Sequence, residues 1–222
     1  MAKLWIFGDS FSMPLPIDSK FDSWPLQLAR RLGVESSMNF AMPGVGNDYI
    51  FHRLSEHLNQ TEEGDYIVIQ TTNKSRQWFF DDPVLSNYSI RDMHTYITKE
   101  QHRALQEYVT HLQHDTIDEL RYVQFSLALE RISQMVSHAK VLILPGFHNT
   151  SGITGTLIQI CDEEFVSIDT IPSFYEANDG KDPRHNHLSN NNHNMLTEKI
   201  IDFFTLGKFI DLTTDFEKHF LE

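Results

Sequence analysis

One cysteine, Cys161, in 222 residues excludes an internal disulfide framework. Cys161 itself reads as a buried small hydrophobe. No apolar run reaches the ~20 residues a membrane-spanning helix requires, and no charged-then-apolar leader precedes the first strand. The chain is therefore expected to fold from its first residues, to insert in no membrane and to be cytoplasmic. Basic residues are scarce, with 18 Lys and Arg against 31 Asp and Glu and a formal net charge of -13. Such a surface repels phosphate backbones and anionic lipid, and no stripe of Lys and Arg with interleaved aromatics relieves it. Nucleic acid is excluded as a main partner. Twelve histidines soften the charge at mildly acidic pH. Internal repeats, linkers and low-complexity segments are also missing.

What is present is the composition of a folded protein, 40% hydrophobic and 12% aromatic, and the length predicts one domain over 1–222. Apolar strands alternate with amphipathic helices, which predicts an α/β fold with a parallel sheet covered on both faces. Strands are expected at 3–7, 37–40, 66–70, 141–144 and 165–168. A helix is expected over 24–32, with Pro25 in its first turn and Gly33 at its end. Asn47 is expected to cap a second helix running to Leu58. Residues 73–96 have no period and read as a long loop of the kind that carries binding function. A helical stretch over 99–137, broken near His114-Asp115, completes an insertion at about 73–138. A late helix is expected over 191–204, capped by Ser189 or Asn190, and a short one near 209–221.

The most informative stretch is the first. The run Leu4-Trp5-Ile6-Phe7 stops at Gly8-Asp9-Ser10, and ligands of open α/β sheets bind at the carboxyl ends of strands. Ser10 therefore stands where a nucleophile would, although serine is also a favoured helix cap. A polar, proline-containing segment near the other end, Asp182-Pro183-Arg184-His185-Asn186-His187-Leu188-Ser189, precedes a periodic helix and reads as a loop that delivers side chains. A strand-end serine and a late-loop histidine suit nucleophilic acyl transfer. The imidazole takes the hydroxyl proton and a carboxylate holds its tautomer. Asp9 is expected to hydrogen-bond its own turn and to have no catalytic role.

Phe7-Gly8-Asp9-Ser10 with a late His187-Leu188 resembles the SGNH hydrolases, also called GDSL-type esterases and lipases. The resemblance runs from residue 7 to about 193 through four short blocks. It implies a flavodoxin-like three-layer α/β/α fold with a five-stranded parallel sheet in the order 2-1-3-4-5. It also implies Ser10 as nucleophile and His187 as base. The second block resembles Asn39-Phe40-Ala41-Met42-Pro43-Gly44, implying the Gly44 amide as an oxyanion donor beside the Ser10 amide, with Ala41 in place of the usual first glycine. The third corresponds to Thr71-Thr72-Asn73-Lys74. Its glycine and aspartate are replaced, and Asn73 is implied as the side-chain donor. In the last block Arg184 stands where the family has aspartate, so Asp182, with Asp179 behind it, is the candidate to complete the triad.

Arg76 and Trp78 are candidate substrate-binding residues. Arg76 and Arg184 either clamp an anionic group or pair with Asp81, Asp82 or Asp182, and Trp78, Phe79 and Phe80 either line a pocket or plug the sheet edge. His185, His187 and His193 have a spacing compatible with zinc, but no cysteine or acidic cluster completes a site. No metal or cofactor is expected, and His193 is expected to pack in the first turn of its helix. The expected function is a serine esterase acting on a small ester or an O-acetylated carbohydrate. The alternative is a catalytically degraded relative that binds a glycan or serves in an assembly. An acyltransferase shares the same residues.

Overall fold

Leu4, Trp5, Ile6 and Phe7 are all shielded from solvent, and they form the body of a central strand, β1 (Lys3–Phe7). The computed structural model describes residues 2–14, 22–79, 98–148, 150, 153–161 and 187–217. Along these, β1 is followed by α1 (Trp24–Leu32), β2 (Ser36–Asn39), α2 (Asn47–His57), β3 (Tyr66–Thr71), α3 (Lys99–His111) and α4 (Asp115–Met135). Then come β4 (Lys140–Pro145), β5 (Ile153–Thr154), α5 (Asn190–Leu206) and β6 (Ile210–Asp211). The main sheet has the order β2-β1-β3-β4, and every pairing in it is parallel. The expected fifth strand, 165–168, lies outside the described residues.

Strand side chains alternate between two faces, so the sheet builds two cores. Leu4, Ile6, Val68 and Leu142 pack with Trp24 and Leu28 of α1 and Leu196 and Ile200 of α5. Trp5, Phe7, Ile67 and Ile69 pack with Ile50 and Leu54 of α2 and Tyr122, Phe125 and Leu129 of α4. Helices therefore cover both faces of the sheet. Each of these fully buried aliphatic side chains contributes roughly 1.5–3 kcal/mol relative to exposure.

Local signals account for most element ends. Pro25 opens α1, and Gly33 closes it at φ 63, with the Gly33 N–H donating to Arg30 O and the Val34 N–H to Ala29 O. The expected break at His114-Asp115 is present: α3 opens on a Thr98/Gln101 capping box, and His114 caps α4 through Nδ1. Ser189 caps α5 by accepting from the Asn192 N–H at 3.2 Å.

Two expectations are corrected. Gly46, not Asn47, is the N-cap of α2, because the Asn47 side chain is spent on a tertiary contact. In place of a helix near 209–221, Ile210–Asp211 forms β6, parallel to β5, and the backbone bends after it to Phe216. Ile210, Leu212 and Phe216 are buried there. Asp211 accepts from the Thr213 N–H and hydroxyl, which favours a turn over a helix.

The chain leaves β1 to form β2 on one side and then β3 on the other. The carboxyl ends of β1 and β3 thus flank the topological switch point, the usual ligand position of an open parallel sheet.

Candidate active site

The turn that carries Ser10 is held by hydrogen bonds on every side of it. A Cβ on Gly8 would lie 2.6 Å from Gln70 Oε1 and 2.9 Å from Ser12 Oγ, so a side chain there would displace the Gln70 amide and the Ser12 hydroxyl. Gln70, fully buried at the end of β3, accepts from the Asp9 N–H at 2.9 Å and from the Ser12 hydroxyl at 3.0 Å. Its Nε2 donates to Thr71 O at 2.6 Å. Asp9 closes its own turn as expected, with Oδ1 accepting from the Phe11 N–H at 3.0 Å and its carbonyl from the Ser12 N–H at 3.1 Å. Ser10 sits on this turn, half-buried.

The segment after β2 is clipped to the same turn. Asn39 Nδ2 donates to Ser12 O at 2.7 Å while its Oδ1 accepts from the Ala41 N–H, and the Met42 N–H donates to Gly8 O at 3.1 Å. These contacts carry the Pro43-Gly44 turn to the edge of the serine turn. Gly44 has φ +77, and its N–H donates to no described residue. It is a backbone donor of the kind that oxyanion stabilisation uses.

After β3, Asn47 grips Thr72 at two points: Nδ2 donates to Thr72 O at 3.1 Å and Oδ1 accepts from the Thr72 N–H at 2.8 Å. Asn73 follows directly. Its Oδ1 accepts from the Ser75 N–H at 2.9 Å, which leaves the NH2 as the group that amide has to offer.

His187 stands three residues before α5, next to Leu188, which bridges antiparallel to Cys161. The His187 ring packs on Phe11, the residue after Ser10, with centroids 5.1 Å apart, and Phe11 packs on Phe147 at 5.5 Å. His187 is thus docked against the serine turn. Asp182 and Asp179, the expected triad carboxylates, lie outside the described residues, as do His185 and Arg184. His193 is buried in the first turn of α5, as expected, but it also reaches across to α1: the Trp24 N–H donates to His193 Nδ1 at 3.0 Å. That nitrogen is therefore spent on capping. Among the described residues no group of three His, Cys, Asp or Glu is placed to hold a metal ion.

Asp81 and Asp82, the expected partners of Arg76, lie outside the described residues. Arg76 bonds Asp9: Nη1 donates to Asp9 Oδ2 at 3.1 Å and to Thr72 Oγ1 at 3.1 Å, while Thr72 Oγ1 also donates to Asp9 Oδ2. The guanidinium carbon lies 5.5 Å from the Phe147 ring centroid. Arg76 and Trp78 both line a cleft of about 490 Å3 between α2 and α4, so the two substrate-binding candidates share one wall. Phe79 lines the same cleft, and Phe80 lies outside the described residues.

Two features were not anticipated. Gln70 is the hub of the serine turn, and the signal was a polar residue at the end of the otherwise apolar run Ile67-Val68-Ile69. His148, after β4, is the other: burial, reinforced by the nearby Lys74 charge, pushes its imidazole below the ordinary histidine value. A scan against models of known protein families finds no match, and no curated protein is significantly similar to this chain in sequence.

Proposed function

We propose that this protein is a serine ester hydrolase of the SGNH class, acting on a small ester or an O-acetylated carbohydrate. The observation that supports it most is the packing of the His187 ring on Phe11, which brings a late-loop imidazole to the turn that presents Ser10 at the sheet's switch point. In this reading Ser10 Oγ attacks the ester carbonyl carbon and His187 takes its proton. The negative charge that develops on the carbonyl oxygen is met by the N–H groups of Ser10 and Gly44 and by Asn73 Nδ2. One such donor contributes about 3–4 kcal/mol to the transition state. The tetrahedral species collapses, His187 returns the proton to the leaving alcohol, and water repeats the sequence to release the acid. Asp182 is the carboxylate assigned to hold the His187 tautomer. The fold that goes with this reading is flavodoxin-like, order 2-1-3-4-5, with 165–168 as the strand beside β4.

Hydrolysis of a panel of short-chain aryl esters and acetylated sugars tests the proposal, with Ser10→Ala and His187→Ala each expected to abolish turnover. Added alcohols that compete with water as acceptor would identify a transferase. A wild-type protein inert on the whole panel would move it to the alternative class, a glycan-binding or assembly domain.

A further inference from the structure

The cleft between α2 and α4 combines two features. Trp78 and Phe79 give it an aromatic wall, with the Trp78 ring steadied edge-on by Tyr49 at 5.4 Å. The Trp78 indole N–H is buried and has no acceptor among the described residues. Lys74, Arg76 and Arg121 all reach the cleft, and among its described lining residues the one acid is Asp48. The Asp48 carboxylate is already occupied, accepting from the Tyr49 N–H at 2.9 Å and the Trp78 N–H at 2.8 Å.

The cations differ in what holds them. Arg76 is committed to Asp9. Arg121 donates one N–H to the Tyr108 hydroxyl at 3.1 Å and stands 4.0 Å from Asp118, beyond hydrogen-bond reach. Most of its donor fork is left for another acceptor. Lys74 pairs with Glu119 at the surface, and a pair of that kind contributes little, so an incoming anion replaces Glu119 at small cost.

We infer that this cleft binds the part of the substrate remote from the ester: a planar or sugar ring against Trp78, carrying a carboxylate held by Arg121 and Lys74. The link to catalysis rests on the esterase reading and runs through Arg76, which both lines the cleft and braces Asp9, the residue before Ser10.

Trp5 and Trp24 are buried in the core, so quenching of tryptophan emission by a small ligand reports on Trp78. The probes are 4-nitrobenzoate and its uncharged isostere 4-nitrobenzamide. Saturable quenching by 4-nitrobenzoate is expected, with an affinity about tenfold above that for 4-nitrobenzamide. Arg121→Gln, and independently Lys74→Gln, should weaken 4-nitrobenzoate about fivefold or more and leave 4-nitrobenzamide unchanged. Trp78→Phe should remove the signal. Equal affinity for the two probes, or full 4-nitrobenzoate binding in both charge variants, would overturn the inference. Neither probe needs Ser10 to react, so an inert Ser10 with intact probe binding would sink the esterase reading and its link to the cleft but leave the cleft as a carboxylate site, whereas a probe failure would sink the cleft alone.

Discussion

Arg76 Nη1 lies 3.1 Å from Asp9 Oδ2 directly beneath the turn that presents Ser10, with the Asp9 side chain 0% exposed and that of Arg76 20%. A carboxyl buried this deep needs charged or hydrogen-bonding partners, and Arg76 and Thr72 supply them. Arg76→Met is therefore expected to destabilise the fold by about 3 kcal/mol, because it strands a buried charge. Asp9→Asn in the same chain should restore part of that loss. Urea unfolding of the single and double variants measures both, and an Arg76→Met chain as stable as wild type would show that the pair does not brace the turn.

Gly146 and Gly44 are both glycines for structural reasons, but for different ones. A Cβ at position 146 would fall 2.0 Å from Thr71 O, so Gly146→Ala must push the ends of β3 and β4 apart. A loss of about 1–3 kcal/mol is expected, as for other overpacked sites. At Gly44 a Cβ meets nothing within 4 Å, and the constraint is φ +77 instead. Gly44→Ala should cost only about 1–2 kcal/mol in backbone strain. Alanine keeps the N–H, so its effect on ester turnover comes from turning that donor aside as the backbone leaves φ +77, and kcat should fall by more than the stability loss explains if the Gly44 N–H meets the oxyanion. Equal proportional losses of stability and kcat would remove Gly44 from the oxyanion site.

Asp65 predicts how stability responds to acid. Burial alone would push its carboxyl up, but the N–H groups of Glu62 and Lys3 and the Trp5 indole, at 3.0, 2.8 and 2.8 Å, outweigh burial and hold it below the ordinary carboxylate value. The ionised form is thus favoured more in the folded chain than in the unfolded one. Its contribution is complete above about pH 4 and is lost as the pH falls through the lowered folded value. Urea midpoints between pH 7 and pH 2.5 should fall more steeply for wild type than for Asp65→Asn. Parallel curves would contradict this.

His193 joins α5 to α1 by accepting the Trp24 N–H, a contact spanning most of the chain. His193→Ala leaves that N–H buried without an acceptor, at an expected cost of about 1–3 kcal/mol. Thermal unfolding reads the loss, and His193→Asn, which retains a short acceptor, should lose less.

The elements read correctly from sequence were those whose signals are local and mutually consistent. β1 is an uninterrupted apolar run buried on both faces, and α1 has Pro25 and Gly33 at its ends. The errors arose where a distant partner outweighed a local preference. Asn47 is a good capping residue, yet its amide is more fully satisfied by both backbone groups of Thr72. The segment near 209–221 contains Ile210 and Leu212 at a spacing of two, a strand signal whose partner, β5, is more than fifty residues earlier. The strand-end position of Ser10 followed from the end of the apolar run. The Asp9–Arg76 pair did not, since nothing in the spacing of residues 9 and 76 marks them as neighbours.

The most direct measurement of the central claim, that Ser10 is an activated nucleophile served by His187, is covalent labelling with a fluorophosphonate. The adduct is located by peptide mass spectrometry in wild type, Ser10→Ala and His187→Ala. The expected result is one adduct, on Ser10, absent in Ser10→Ala and formed at a small fraction of the wild-type rate in folded His187→Ala. An unlabelled Ser10 in folded wild-type protein, or labelling of Ser10 at an unchanged rate without His187, would contradict it.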